Sequence, residues 1–284
     1  MNSSKKTYGL IGYPLGHSLS PKMHNAAFKA LAMDAEYKLF PLAPQYFDDY
    51  LARLDNSGIS GLNVTVPYKE KVMDFVELGQ DFLYLRQVKA VNTMNFCDGI
   101  WWGYNTDILG FSRHLKENFK PAMKKTAILG AGGAARAVAY VLAQEKASEI
   151  VVFDIDNAKS KSIVEMVKSL FPQTRIFAVE SVEKLKISRK DLLVNATPIG
   201  LKSTDPLIVE EAMLHKDLFV YDLVYNPAQT KLLALAEKVG ARNSNGLGML
   251  LYQGVLSFEI WTGKKAPEEI MRKALLNKII KERL

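Results

Sequence analysis

The chain has 284 residues, more than one hydrophobic core usually organises, so two domains are expected, each with a core of its own. Hydrophobic residues make up 48% and charged residues 24%, an ordinary globular balance; no apolar run approaches the ~18 residues of a membrane span, which excludes a membrane protein at this level. The formal charge of +7 invites a nucleic-acid reading, but Lys159, Lys161, Lys168, Lys184 and Lys186 interleave with Asp and Glu as solvated faces, which leaves anionic small molecules as implied partners and no nucleic acid.

The opening MNSSKKTYGLIGYP lacks the long apolar core of a secretory signal, so the cytoplasm is the expected compartment. Cys97 stands alone; an intrachain disulfide is excluded, a reducing compartment fits, and a buried or half-buried structural thiol is expected. His17, His24, His114 and His215 have no ligand-like spacing, so they read as packing or surface residues and no metal is expected.

In chain order, TYGLIGY predicts a buried strand that runs into the turn PLGHSLSP. Ser20 followed by Pro21 reads as an N-cap with proline at the first helical position, and Met23, Ala26, Ala27, Ala30 and Leu31 supply an apolar helical stripe. AEYKLFPLA is a second strand, YFDDYLARLDNSG a helix ended by Gly58, and GLNVTVP a third strand with a helix from about Tyr68. MNFCDGIWWGYN reads as two strands about an Asp98-Gly99 hairpin turn, with Trp101 and Trp102 packing on the hairpin.

The texture changes near residues 107–125. ILGFSRHLKENF is helical, and KKTAILGAGGAARAVAYVLAQEKASEIVVFDID spells strand, glycine turn, helix and strand. Alternation continues through KSIVEMVKSLF, RIFAVE, DLLVNATP, LFVYDLVYNP and TKLLALAEKVG, which predicts a parallel doubly wound sheet. The rest, from GMLLYQGVLSFEIWTG onward, reads as helices with no further strand, able to return to the first domain. The expected organisation is α/β with two domains: residues 1–108, completed by helices in 249–284, for substrate, and a Rossmann dinucleotide-binding domain over 109–248.

Gly130, Ala131, Gly132, Gly133 and Ala134 follow a strand directly and open a helix. Small residues are needed there because backbone amides must approach a pyrophosphate, while the helix start offers free N–H groups and a positive dipole end. The next strand ends at Asp154, an acidic side chain suited to ribose hydroxyls and repelling a 2′-phosphate, followed by Ile155 and Asp156. NAD is therefore expected in preference to NADP; the alternative is that Asp154 is a solvated strand end and a cation such as Lys159 serves the cofactor.

Four polar clusters remain: His17 to Pro21, Asn63 to Lys69, Val91 to Thr93, and Asn105 to Asp107. Each sets Asn, Ser or Thr at an element end beside apolar sequence; capping explains any one of them, and a shared binding cleft explains all four. Lys69 and Asp107 both read as first-turn helical residues, where a carboxylate is favoured and an ammonium disfavoured. If the two meet, Lys69 could exchange a proton with a substrate hydroxyl.

In order and over nearly the whole chain, GYPLGHSLSPKMHNAAF, GLNVTVPYKEK, KAVNT, GYNTDILGF, ILGAGGAARAV, VNATPIGL and YDLVYNP with NGLGMLLYQG resemble the shikimate dehydrogenase family. The resemblance implies a reversible NAD(P)-dependent oxidation of shikimate to 3-dehydroshikimate, with Lys69 and Asp107 as the catalytic pair. It further implies Ser18 and Ser20 at the ring carboxylate, Thr65, Asn92, Tyr225 and Gln253 as substrate contacts with Asn63 in the same loop, and Thr197, Leu223 and Gly246 near the nicotinamide. Gln253 also stands out as an amide on an apolar helical face with Met249, Leu256 and Ile260; ligand hydroxyls or a backbone carbonyl would satisfy it.

Two departures from the family pattern are visible. NADP-using relatives carry Asn-Arg-Thr where this chain has Asp154-Ile155-Asp156, and Lys89 stands where glycine is usual. A quinate or dual quinate/shikimate dehydrogenase, an aminoshikimate relative and a catalytically silent ligand sensor are the rival readings, and a monomer or homodimer is expected.

Overall fold

The computed structural model describes residues 5–16, 18–82 and 84–281, the last four of these by backbone alone. His17 lies outside the described residues. The chain forms two compact units, Met1–Gly110 with Leu250–Leu284, and Phe111–Met249.

The first unit holds β1 (Lys6–Gly12), α1 (Ser20–Ala30), β2 (Ala35–Pro41), α2 (Phe47–Ala52), β3 (Ile59–Val64), α3 (Leu85–Val88), β4 (Thr93–Cys97) and β5 (Ile100–Tyr104), and the start of α4 (Thr106–Asn118). Its sheet runs β2-β1-β3-β4-β5, parallel across the first three strands and antiparallel across the hairpin. Asp98 and Gly99 have φ of 53° and 79°, the two left-handed residues of a type I′ turn, and Cys97 pairs with Ile100 as that turn requires. Trp101 is buried, packs on Phe96 at 4.9 Å and donates to Asp55, while Trp102 is half-buried.

The second unit contains the rest of α4, then β6 (Lys125–Leu129), α5 (Gly133–Gln144), β7 (Glu149–Phe153), α6 (Asn157–Leu170), β8 (Ile176–Val179), β9 (Leu192–Asn195), β10 (Phe219–Asp222), α7 (Lys231–Lys238) and β11 (Arg242–Asn245). Its six strands are all parallel in the order β11-β10-β9-β6-β7-β8. The winding direction reverses between β6 and β9, and in such sheets the crevice at the carboxyl ends of the switch strands is where ligands bind. Buried Ala127, Leu193 and Val220 of its sheet and Leu233 and Ala236 of α7 belong to one core cluster.

The chain closes with α8 (Leu247–Thr262), which begins in the second unit, and α9 (Glu268–Lys281) in the first. Helix α8 is apolar on all sides and is enclosed in the first unit: Trp261 stacks on Tyr8 at 5.1 Å and donates to Met94 O, and a Cβ on Gly61 would lie 2.5 Å from the indole. Glycine at 61 is what lets the strand backbone approach the ring.

Four expectations are corrected, and one strand is additional. Cys97 is exposed, because the hairpin register turns it outward at the strand end. Lys69 lies in a turn before a 3-10 segment, Lys71–Phe75, so no helix dipole acts on it. Ser20 is the first helical residue rather than the cap; Leu19 is the cap, and Ser18 Oγ accepts from Ser20 N–H at 3.3 Å. The buried face of α1 uses Met23 and Ala27 with His24 and Phe28, leaving Ala30 exposed. A strand the sequence did not announce, β11, pairs on β10 through the polar run RNSN; at a sheet edge, ladder hydrogen bonds suffice without an apolar pattern.

Candidate active site

Beyond Val64 the chain turns through Thr65, whose carbonyl accepts from Tyr68 N–H at 2.9 Å. Tyr68 is fully buried, stacks on Phe47 at 4.4 Å and donates its hydroxyl to Leu42 O. Lys69 O accepts from Val91 N–H at 2.9 Å, which ties the lysine backbone to the segment before β4. With the backbone held on both sides, Lys69 Nζ lies 2.6 Å from Asp107 Oδ2, their side chains only 13% and 8% exposed. Asp107 occupies the first turn of α4, where the dipole favours its charge. Asn105 caps that helix, accepting from Ile108 N–H at 3.3 Å and donating to Ala90 O at 2.8 Å.

Behind this pair is a fully buried polar network. Asn92 Oδ1 accepts from Thr106 N–H at 2.7 Å and its Nδ2 donates to Thr106 Oγ1 at 3.0 Å. Asn63 Nδ2 donates to Thr93 Oγ1 and Ser257 Oγ, and its Oδ1 accepts the Tyr37 hydroxyl at 2.8 Å. The amide of Asn63, expected in the substrate loop, is thus committed to the interior. Ser257 donates to Gln253 O at 2.9 Å, which links the network to the helix carrying Gln253. Gln253 Nε2 donates to Leu250 O at 2.8 Å, the backbone partner left open above as an alternative to a ligand. Sequence reasoning missed Ser257; its signal is a second polar side chain one turn after Gln253 in an apolar helix.

Thr65 and Ser18 are half-buried and Ser20 is buried in this same unit. Tyr225 belongs to the second unit, half-buried in the loop after β10. His24 is fully buried against Tyr37, ring centroids 4.5 Å apart, and neither ring nitrogen has a protein partner among the described residues. Burial holds its pKa down at about 3.

In the second unit Gly130 adopts φ of 97°, where a Cβ would sit 3.0 Å from the Ala196 carbonyl, so glycine is required for β6 to turn beside β9. Ala131 is buried and Gly132 is the N-cap of α5, with no side chain capping the helix start that Gly133 and Ala134 begin. A Cβ on Gly132 would meet nothing within 4 Å. Open space before an uncapped helix N-terminus fits a pyrophosphate. Asp154, expected to face a ribose, is engaged by this turn: its Oδ2 accepts from Ala131 N–H at 2.6 Å and its Oδ1 from Asp156 N–H at 2.8 Å. Asp156 caps α6, and Lys159 Nζ stands 3.8 Å from its carboxylate.

Thr197 packs its hydroxyl into the turn after β9, donating to Asn195 Oδ1 at 2.7 Å and accepting from Ile199 N–H at 3.1 Å. Leu223 N–H donates to Asn195 O, and Gly246 passes so close to the Leu223 carbonyl that any side chain there would collide with it. Asp222, wholly buried at the end of β10, escaped the sequence reading although it is a carboxylate within the apolar run LFVYDLVY.

Residues 10–94 match the family model for the shikimate dehydrogenase substrate binding domain, and residues 246–276 that for the shikimate 5′-dehydrogenase C-terminal domain. The chain is 44% identical over 283 residues, covering 97% of each sequence, to a protein of Methanopyrus kandleri named shikimate dehydrogenase (NADP(+)). Among solved structures, a shikimate dehydrogenase in complex with NADP+ is similar at a TM-score of 0.87 and 35% identity, over 98% of this chain and 97% of that one. The shikimate 5-dehydrogenase of Listeria monocytogenes in complex with shikimate and NAD follows at 0.83 and 35%, over 97% and 98%. The NADP(+) in the curated relatives' names favours NADP and does not support the preference for NAD expected from Asp154.

Proposed function

Because this chain belongs to the shikimate dehydrogenase family, we propose that it interconverts shikimate and 3-dehydroshikimate with a nicotinamide dinucleotide. The observation that carries the reading is the shielded ion pair of Lys69 and Asp107 at 2.6 Å. An amine and a carboxylate so placed, at the end of a strand and the start of a helix, suit proton exchange with an alcohol that becomes a carbonyl.

In this reading the dinucleotide, bound at the glycine turn of the second unit, supplies the hydride acceptor. Lys69 Nζ takes the proton of the ring hydroxyl as the carbonyl forms, passing its own ammonium proton to Asp107 Oδ2 at 2.6 Å, and the transfers reverse in the other direction. Asp107 Oδ2 holds that amine, and its other oxygen is available to a neighbouring hydroxyl. Ser18, Ser20, Thr65, Asn92, Tyr225 and Gln253 would orient the ring, and Thr197, Leu223 and Gly246 would shape the nicotinamide end.

The relatives' names favour NADP. A second reading, NAD, rests on one feature of this chain: Asp154 and Asp156 stand at the end of β7, and their charges oppose a 2′-phosphate. The deciding experiment is the initial rate of dinucleotide reduction with shikimate and with quinate, each offered NADP+ and NAD+. Turnover of shikimate supports the proposal, comparable turnover of quinate assigns dual specificity, and no turnover with any pair overturns it.

A further inference from the structure

The carboxylate of Asp222 has no part in the chemistry proposed above, yet it is wholly buried at the carboxyl end of β10, on the edge of the sheet where the glycine turn lies. No cation pairs with it among the described residues; burial pushes its pKa above the ordinary carboxylate value, against three hydrogen bonds that pull it down. A carboxyl group buried there without a cation opposes stability rather than serving it.

What the carboxyl group does is visible in its partners. Oδ1 accepts from Asn195 Nδ2 at 2.9 Å and Val224 N–H at 3.0 Å, and Oδ2 accepts from Thr230 Oγ1 at 2.6 Å. Asn195 passes the order on: its Nδ2 also donates to Ile199 O at 3.1 Å, and its Oδ1 accepts both the N–H and the hydroxyl of Thr197. Because Thr197 N–H can only donate, Asn195 cannot flip, so Asp222 Oδ1 must remain an acceptor. Val224 in turn accepts Gly246 N–H at 3.3 Å, and Thr230 caps α7 by accepting from Leu233 N–H.

We propose that Asp222 is a positioning residue for the dinucleotide: one buried acceptor sets the turn carrying Thr197 and the loop carrying Leu223 in the arrangement that receives the nicotinamide end. The proposal rests on the reading of the second unit as the dinucleotide-binding one. An asparagine at this position has the same shape but points an amide at Asn195 Nδ2 and Val224 N–H, or forces the Thr230 hydroxyl to reverse.

The test is equilibrium binding of NADP+ and NAD+ to the full chain without substrate, followed by protein fluorescence, for wild type, Asp222→Asn and Asp222→Leu, with thermal midpoints recorded alongside. Val167→Ala, in the buried face of α6, serves as a destabilised control in the same unit. The expected result is a dissociation constant raised about tenfold in Asp222→Asn and further in Asp222→Leu, with folded protein in both and wild-type affinity in the control. In turnover, the KM for the dinucleotide should rise more than kcat falls. Wild-type affinity in folded Asp222→Asn and Asp222→Leu overturns the proposal, as does an equal loss in Val167→Ala. Failure of wild type itself to bind either dinucleotide overturns the underlying reading instead.

Discussion

Lys69 Nζ and Asp107 Oδ2 lie 2.6 Å apart although the residues are 38 positions apart in sequence. Neither belongs to the same element as the other: the lysine follows β3 in a turn, and the aspartate opens α4. Their meeting depends on Val91 N–H, which fixes Lys69 O, and on Asn92, which fixes Thr106 immediately before the aspartate.

Removing either member should therefore affect turnover far more than binding. Lys69→Ala is expected to lower kcat by roughly 10²–10⁴-fold while the equilibrium affinity for shikimate changes little. Asp107→Asn, which keeps the shape but not the charge, should fall in the same range. An unchanged kcat in Lys69→Ala would sink the assigned role.

Asn63 is expected to behave as an internal strut. Its Nδ2 is used by Thr93 and Ser257 and its Oδ1 by Tyr37, so Asn63→Leu orphans several buried groups at a cost of about 2–4 kcal/mol. Denaturant midpoints should show that loss, while the KM for shikimate of the folded fraction stays near wild type. A raised KM with unchanged stability would return Asn63 to the substrate contacts.

His24 should impose a pH dependence on folding. Its folded pKa, about 3, is lowered by burial from the ordinary 6.5, so between those values the unfolded chain binds a proton that the folded chain refuses. Stability from this residue is complete above the ordinary value and is lost as pH falls, with a slope of about 1.4 kcal/mol per pH unit. Comparing denaturation at mildly acidic and neutral pH, His24→Leu is expected to show a shallower decline than wild type. Parallel declines would mean that His24 is protonated, or hydrated, inside the fold.

Lys89 departs from the family pattern, and its backbone shows why glycine suits that position. It ends α3 with φ of 51° and is exposed, a left-handed position where glycine is unstrained and a Cβ is not. Lys89→Gly should raise stability by about 0.5–1 kcal/mol after the greater freedom of glycine in the unfolded chain is counted. Activity should not change. A lower melting temperature would show that the lysine stem has packing that offsets its strain.

Local features of this protein were legible in its sequence because their causes lie within a few residues. The Asp98-Gly99 hairpin, the Gly130 turn between β6 and α5, and the alternation of β6, β7 and β8 with α5 and α6 each follow from turn chemistry and side-chain period. The residue types at the candidate site were legible too, as polar clusters at element ends. Their partners were not. Whether Asn63 faces a ligand or Ser257, whether Asp154 meets a ribose or Ala131 N–H, and whether Asp222 is solvated or buried depend on strand order and on where α8 packs. Edge strand β11, the exposed Cys97 and the non-helical setting of Lys69 belong with these. Composition and periodicity act along the chain and determine which elements form; hydrogen-bond partners and burial are set by residues far away in sequence, and only the assembled sheets and the returning helix bring those residues into reach.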